Sequence, residues 1–349
     1  MRRTKPISLE KQIKHRTNKK PEKKLEYDGN TETMISTGST LLDLAISGGR
    51  VKGGGLPGGI LVEIFGPSGS GKTVLLCEIA GAIQRQDGEI MFGDPEARLN
   101  KQFAKMFDLD TNKMNYSKPS TVTEVFQGVR NWKPKNNKLI NGIFADSLAA
   151  LSTDMELAKD EGDKMGGRRA KELSQETRKT CRLISQENYL MVCSNQIRQN
   201  MDATPFTEKY ISPGGEAIKF YSTVRLRTYN PKKIKETITL HGKKIMKVIG
   251  VEIEVEVYKN SAWKPYRTAP ITIIFDYGID DIRQNLQFIK NHTKNNTYTV
   301  LGKNLSNDMD EAIRMIEKNN LESKLRFETI ELWEKIESKF DSNRKRKIR

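Results

Sequence analysis

Short apolar runs alternate with longer segments of helical periodicity between residues 60 and 196. The runs ILVEIF, EIMFGD, LINGIFADS and YLMVCSNQ predict buried strands. The segments GKTVLLCEIAGAIQRQ, TVTEVFQGVRNW and RRAKELSQETRKTCRLISQ carry apolar residues at helical spacing and predict helices. Strands that alternate with helices need crossover connections, so the pattern predicts an α/β fold with a mostly parallel central sheet flanked by helices.

The pattern changes twice further along the chain. Three β-rich runs, STVRLRTYN, KKIMKVIGVEIEVEVYKN and APITIIFDYG, are separated by turn residues and are expected to extend the sheet as hairpins. From about Asp280, the segments DEAIRMIEKN and RFETIELWEKIESKF predict helices of a small α/β C-terminal domain. We therefore expect a basic N-terminal arm (1–33), a core domain (34–279), a C-terminal domain (280–340) and a basic tail (341–349).

Composition narrows the class of protein. Hydrophobic residues make up 36% of the 349 positions and charged residues 30%, as in globular proteins that bury a core. No run approaches the roughly 18 apolar residues of a membrane span, and the basic start lacks the apolar segment of a secretory signal. Cys77, Cys181 and Cys193 form no CxxC pair, which argues against disulfides or a cysteine zinc site. We expect a cytoplasmic protein with no membrane partner.

The net charge of +16 is concentrated at the two ends. Residues 1–24 hold ten Lys or Arg against two Glu, and residues 341–349 hold five against one Asp. Polycationic arms on a nearly balanced body suit nucleic acid, because each cation that neutralises a phosphate releases a counterion. The alternative is that the ends are solvated, disordered tails that aid solubility.

The sequence GPSGSGKT, residues 66–73, fits the phosphate-loop pattern and stands between a predicted strand and a predicted helix. Backbone N–H groups of such a loop surround the phosphates, the lysine reaches the β- and γ-oxygens, and the threonine hydroxyl holds Mg²⁺. The helix N-terminus favours the same anion. The residues expected to contact ATP are Gly66, Pro67, Ser68, Gly69, Ser70, Gly71, Lys72, Thr73 and Val74.

Two acidic residues at predicted strand ends complete a candidate hydrolytic site. Asp146 follows the apolar run LINGIFA and is the candidate Mg²⁺-supporting carboxylate, together with Thr73. Glu96 in FGDPEARLN follows another strand and is the candidate base that activates water. An acidic residue in such a loop can alternatively be only a turn former or a helix cap.

These segments resemble the RecA family of recombinases, of the bacterial and phage type, over about residues 34–340. ISTGSTLLD is similar to the lead into the family's ATPase core, and DPEARL to its catalytic-glutamate segment. IFADSLAAL is similar to the strand that carries the metal-supporting aspartate, and YKNSAWKPY to a turn at the subunit interface. SNQIR and PGGEAIKFYSTVRL are similar to the second DNA loop and its exit, and they are the narrowest of these signatures.

The resemblance implies further roles around the nucleotide. Gln196 would sense the γ-phosphate and signal to DNA, and with Glu96 and Lys72 it forms the candidate catalytic set; alternatively it is a polar strand-end residue that faces solvent. The family pattern also adds Phe103, Phe275, Lys219 and Lys259 to the candidate nucleotide contacts.

Two segments are implied to contact DNA. The first is KDEGDKMGGRRAKELSQETRK, where cations follow flexible glycines onto a helix and suit contacts to phosphates that ignore base sequence. The second, residues 198–215, contains Phe206 and Tyr210, which either stack on bases or anchor the loop. The implied DNA-binding residues are Arg168, Arg169, Lys171, Ser174, Arg178, Arg198, Phe206, Gly214 and Gly215.

The chain also departs from the family pattern. Lys259 matches the first of two lysines that reach ATP across the subunit interface, but Ser261 stands in the second place, and Lys264 is a candidate substitute. Glu216 follows the paired glycines where an uncharged amide is usual. The long leading helix is not evident in the short basic N-terminus, and RKRKIR replaces an acidic tail.

The resemblance implies an ATP-dependent recombinase that hydrolyses ATP with Mg²⁺, forms a helical filament on single-stranded DNA and exchanges strands with double-stranded DNA. One alternative is a mediator paralogue that binds ATP and DNA without exchanging strands. A hexameric helicase and a DNA-packaging protein are further alternatives. The narrow SNQIR signature argues against the helicase, and the intact Lys72, Glu96 and Asp146 argue against the packaging protein.

Overall fold

The computed structural model describes residues 33–154, 166–199, 210–211, 216–342 and 344, within one compact unit of residues 32–349. It does not describe the side chains of residues 50, 166–168, 198–199, 210–211 and 216. The predicted arm 1–33, apart from its last residue, and most of the predicted tail 341–349 therefore lie outside the described residues.

A mixed sheet of nine strands forms the centre of the described chain. The strands are β1 (Ile60–Gly66), β2 (Ile90–Gly93), β3 (Met114–Ser117), β4 (Asn141–Ala145), β5 (Tyr189–Gln196), β8 (Val224–Leu240), β9 (Lys243–Asn260), β10 (Thr268–Ile274) and β11 (Gly278–Ile279). Their order in the sheet is β11-β10-β9-β8-β1-β5-β4-β2-β3. Strands β3, β2, β4, β5, β1 and β8 are parallel neighbours, whereas β8, β9, β10 and β11 pair antiparallel. The predicted parallel sheet and its hairpin extension are confirmed.

Six α-helices of the described chain begin before β8; the first precedes β1 and the other five lie between strands. They are α1 (Thr40–Ser47), α2 (Lys72–Gln84), α3 (Lys101–Lys105), α4 (Val122–Asn131), α5 (Gly166–Gln186) and α6 (Glu216–Tyr221). A short antiparallel pair, β6 (Arg198–Gln199) and β7 (Tyr210–Ile211), follows β5. The three predicted helices correspond to α2, α4 and α5, while α1, α3 and β3 are elements that the apolar pattern alone does not predict.

Both faces of the sheet are covered, which explains why its central strands read as continuous apolar runs. On one face, Val62 and Ile64 of β1 belong to the same buried cluster as Leu76 of α2. On the other face, Leu61 packs in a second cluster with Phe126 of α4 and other residues of α4 and α5. Alternate residues of β1 therefore contribute to the two sides of the core.

The C-terminal part has its own apolar cluster. The elements of this part are α7 (Asp281–His292), β12 (Tyr298–Val300), β13 (Lys303–Ser306), α8 (Met309–Lys318) and α9 (Glu322–Lys339). Leu286, Ile316 and Leu325 are among its fully buried residues. Asp281 joins this part to α1, because its carboxylate accepts hydrogen bonds from the backbone N–H (2.8 Å) and the hydroxyl (2.7 Å) of Thr40. The predicted helices are confirmed, and the domain boundary at 280 stays a prediction.

The hairpin of β8 and β9 extends beyond the rest of the sheet. The first predicted β-rich run ends at Asn230, but the strand continues to Leu240 and pairs with β9 as far as Lys243. Pro231 falls within a register shift, where it does not need to donate to the ladder. Residues 235–248 are exposed on both strands.

Within the described residues, no helix combines the length and the apolar character needed to cross a membrane.

Candidate nucleotide-binding site

The phosphate loop runs from the end of β1 at Gly66 to the start of α2 at Lys72. Gly69 and Gly71 have φ angles of +71° and +75°, in the left-handed region that glycine adopts at low cost. The Ser70 hydroxyl donates to the Pro67 carbonyl oxygen at 2.7 Å and lies 2.6 Å from the Thr228 hydroxyl. The loop is thus held from inside, and the first N–H groups of α2 lie where an anion is favoured.

Lys72 is half-buried, and its ammonium lies over this loop. Its Nζ donates to the carbonyl oxygens of Gly66 at 3.1 Å and Pro67 at 2.7 Å. Burial lowers the pKa of Lys72 from its usual 10.5; the charge of Asp146 opposes this shift, and the charge of Arg98 adds to it. A phosphate in the loop would therefore meet a cation that is already positioned.

Thr73 and Asp146 meet as the sequence predicts. The Thr73 hydroxyl donates to Asp146 Oδ2 at 2.6 Å, and Ser194 of β5 donates to Asp146 Oδ1. A threonine oxygen whose proton is given to a carboxylate keeps its lone pairs for a cation, which fits Mg²⁺. No group of three or more Asp, Glu, His or Cys suited to a metal occurs among the described residues.

Glu96 lies in the segment that follows β2, and buried Asp94 holds this segment in place. Asp94 Oδ2 accepts from the backbone N–H of Leu99 at 2.8 Å and from the hydroxyl of Tyr116 at 3.0 Å. Glu96 Oε1 lies 2.8 Å from Nη2 of Arg98, in an ion pair that the sequence analysis does not anticipate. Glu96 and Arg98 both face the cavity beside the loop.

A cavity of about 570 Å³ brings most of the predicted site together. The predicted residues that line it are Ser68, Gly69, Ser70, Gly71, Lys72, Thr73, Val74, Glu96, Phe103, Asp146, Gln196 and Phe275. Gly66 and Pro67 do not line it, although both hold Lys72 through their carbonyl oxygens. Residues that the sequence analysis missed include Arg98, Phe107, Ser194, Val251, Ile273 and Ile274. This arrangement can bind a nucleoside triphosphate and present water to it.

Comparisons with known proteins show the family to which this chain belongs. The model of the RecA N-terminal domain matches residues 8–280. Protein RecA of Synechocystis is 32% identical over 295 residues, covering 82% of this chain and 77% of the relative. The chain belongs to the RecA family. Protein RecA of Delftia acidovorans is 34% identical over 246 residues, covering 70% of this chain and 63% of the relative. Protein RecA of Thermus aquaticus is 32% identical over 249 residues, covering 71% of this chain and 69% of the relative.

Lys219 and Lys259, two nucleotide contacts implied by the RecA resemblance, do not line the cavity. Lys259 Nζ donates to the carbonyl oxygens of Lys219 at 2.9 Å and Phe220 at 2.8 Å, at the end of α6. Burial lowers the pKa of Lys259, and the charge of Arg225 adds to the effect. Because the RecA pattern uses Lys259 across a subunit interface, its role and that of Lys219 stay predictions.

The DNA-binding residues implied by the RecA resemblance differ in how far the structure describes them. On α5, Lys171 and Arg178 are exposed and Ser174 is half-buried. The Arg169 guanidinium donates to the carbonyl oxygens of Leu148 at 2.7 Å and Ala149 at 2.9 Å, so it holds the segment that follows β4. Phe206, Gly214 and Gly215, and the side chains of Arg168 and Arg198, lie outside the described part of the chain.

A buried polar network stands behind this RecA site. Glu63 of β1 is fully buried, and its Oε2 accepts from Nε of Arg225 on β8 at 2.6 Å. Its Oε1 accepts from the amide of Asn195, the residue before Gln196, at 3.0 Å. The signal available in the sequence is a single charge inside each apolar run, ILVEIF and TVRL.

Proposed function

We propose that this chain is a DNA-dependent ATPase that forms a helical filament on single-stranded DNA and catalyses homologous pairing and strand exchange with double-stranded DNA. The observation that carries the proposal is the convergence of Lys72, Thr73, Asp146, Glu96 and Gln196 on one cavity. Membership of the RecA family supports the same reading, and it favours the cytoplasm as the place of action.

Four of these residues have a part in hydrolysis. Lys72 and the loop N–H groups hold the β- and γ-phosphates, and Glu96 accepts a proton from the attacking water. The water oxygen bonds to the γ-phosphorus, the bond to the bridging oxygen breaks, and ADP leaves. Mg²⁺, held by Thr73 with Asp146 behind it, would neutralise phosphate charge when bound.

The sheet offers a direct route between nucleotide and DNA. Gln196 ends β5, and its register partner on β1 is Gly66, where the phosphate loop begins. The chain enters the candidate DNA loop immediately after Gln196. An amide that contacts the γ-phosphate would therefore change the start of that loop, and this differential contact is what coupling between two ligands requires.

The experiment measures ATP hydrolysis with and without single-stranded DNA, together with electron micrographs of the same samples. We expect the DNA to stimulate hydrolysis and filaments to form with ATP. Lys72→Ala should abolish tight ATP binding, and Glu96→Gln should keep ATP and DNA binding but hydrolyse slowly, so that its filaments persist. Hydrolysis by Glu96→Gln at the parental rate would refute the assignment of the base.

A second candidate is an ATP- and DNA-binding mediator without strand exchange. The observation that favours it is that Lys259 directs two of its three donors to carbonyl oxygens of its own chain, and that the uncharged Ser261 stands in the place of the second lysine. A strand-exchange assay between circular single strands and homologous linear duplex separates the two. Joint molecules support the recombinase, and stable filaments without joint molecules support the mediator.

A further inference from the structure

Arg98 and Lys72 bring two positive charges to one cavity. Both line the space beside the phosphate loop, and the two lie close enough for the charge of Arg98 to add to the lowering of the Lys72 pKa. Like charges that face each other in a half-closed space repel, and an anion between them removes the repulsion. Asp146 and Glu96 balance part of this charge, so an added anion gains most where it replaces Glu96 as the partner of Arg98.

The backbone directs Arg98 toward the same space as Glu96. The N–H of Ala97 donates to the carbonyl oxygen of Asp94 at 3.1 Å, and Ala97 has a φ of +52°, so the chain turns sharply between Glu96 and Arg98. The Arg98 side chain is 61% exposed and that of Glu96 is 22% exposed. The arginine is thus the more exposed partner of the ion pair, with more solvent-accessible space around its side chain.

We propose that Arg98 binds the γ-phosphate of ATP from within the same chain, and that it leaves Glu96 when it does so. This inference rests on the proposed ATPase function and adds a phosphate contact to it. While Arg98 pairs with Glu96, one carboxylate oxygen is occupied by a donor. Once Arg98 has moved to the phosphate, both carboxylate oxygens can accept a proton from water.

The chemistry of the two partners favours the exchange. An ion pair between a carboxylate and a largely exposed arginine is weak. A γ-phosphate carries more charge and three acceptor oxygens, and the planar guanidinium matches such oxygens in pairs. Arginine contacts of this kind stabilise the charge that develops on a transferring phosphoryl group.

The test measures nucleotide binding without hydrolysis. Parent, Arg98→Ala and Arg98→Lys are titrated with a non-hydrolysable ATP analogue and with ADP, both with Mg²⁺. Arg98→Ala should weaken triphosphate binding by roughly tenfold to a hundredfold, as expected for the loss of a hydrogen-bonded charge. Its ADP affinity should stay within about twofold of the parent, because ADP lacks the phosphate that Arg98 contacts. The triphosphate affinity of Arg98→Lys should lie between those of the parent and Arg98→Ala, because lysine keeps the charge but cannot make two parallel hydrogen bonds to the phosphate.

A matched control and a second background separate phosphate binding from simple orientation of Glu96. Arg314→Ala removes an exposed arginine from α8 and should leave both affinities unchanged. In a Glu96→Gln background, Arg98→Ala should still lower the preference for triphosphate over diphosphate. If the preference is unchanged in either background, Arg98 does not contact the γ-phosphate and the inference is wrong. If Lys72→Ala also leaves ATP binding unchanged, the proposed ATPase function fails with it.

Discussion

Removing the charge of Arg225 should destabilise the core strongly, because the carboxylate of its partner Glu63 would stay buried without a compensating cation. Glu63 is fully buried and Arg225 is 5% exposed, and they meet at 2.6 Å between β1 and β8. The guanidinium also lies 4.3 Å from the centre of the Phe65 ring. Arg225→Met keeps a long apolar side chain against that ring and deletes the charge, so the change tests the ion pair rather than the packing.

The expected size follows from the burial of the pair. Leaving one member of a buried ion pair without its partner costs about 3–5 kcal/mol. At about 2 °C per kcal/mol for a chain of this size, the thermal midpoint should fall by roughly 6–10 °C. The Asn195 amide still donates to Glu63, which places the loss toward the lower end of that range.

The assay is a double-mutant cycle on thermal midpoints, with Glu63→Leu, Arg225→Met and the double variant. Replacing both charges removes the uncompensated partner, so the double variant should be more stable than the sum of the single losses predicts. The control is Lys264→Met, which breaks an exposed pair with Asp341 and should cost less than about 1 kcal/mol. If Arg225→Met costs no more than this control, or if the cycle is additive, the reasoning is refuted.

Three further outcomes follow from single contacts. Burial raises the pKa of Glu78 from 4.5 to about 7. The contribution of this carboxyl group to stability is therefore complete below pH 4.5 and is lost as the pH rises through 7. Glu78→Gln should remove up to about 3 kcal/mol of the decline in the free energy of unfolding between pH 5 and 8, as measured by urea unfolding. Gly81→Ala should lower the thermal midpoint of unfolding, because the new β-carbon would lie 2.0 Å from the backbone carbonyl oxygen of Phe107. The control Gly128→Ala should leave the midpoint nearly unchanged, because its β-carbon meets only the flexible end of the Met91 side chain. Gln196→Ala should bind ATP and single-stranded DNA but lose the ATP-dependent gain in DNA affinity; an equal gain in parent and variant would remove Gln196 from the coupling.

Local sequence carries much of the fold and part of the site. The phosphate loop, Asp146 and Glu96 each stand at the end of a recognisable strand, and ends of parallel strands meet at one edge of a sheet. The Thr73–Asp146 hydrogen bond is a consequence of that rule. The resemblance to the RecA family adds Gln196, Phe103 and Phe275, which composition and periodicity alone do not single out.

Other features depend on contacts that no local pattern encodes. Glu63 and Arg225 are 162 residues apart, and each reads only as an isolated charge in an apolar strand. Ile273 reaches the cavity because β10 folds back beside β9, which places an apolar residue against the phosphate loop. The turn at Ala97 brings Arg98 onto Glu96. Strand β3 has only four residues, too few for its alternating burial to stand out in the sequence.

The contact between Thr40 and Asp281 has a consequence for the order in which the molecule is completed during synthesis. The two residues are 241 positions apart, which at about 5–20 residues per second is an interval of roughly 12–50 s. Helix α1 packs against β9, β10, α7 and α9, all of which leave the ribosome late. Its buried carboxylate, Asp43, and its apolar residues are without that cover while the central strands are being made. A nascent chain that ends before residue 281 therefore leaves apolar surface of α1 uncovered, and exposed apolar surface of this kind promotes association between incomplete chains.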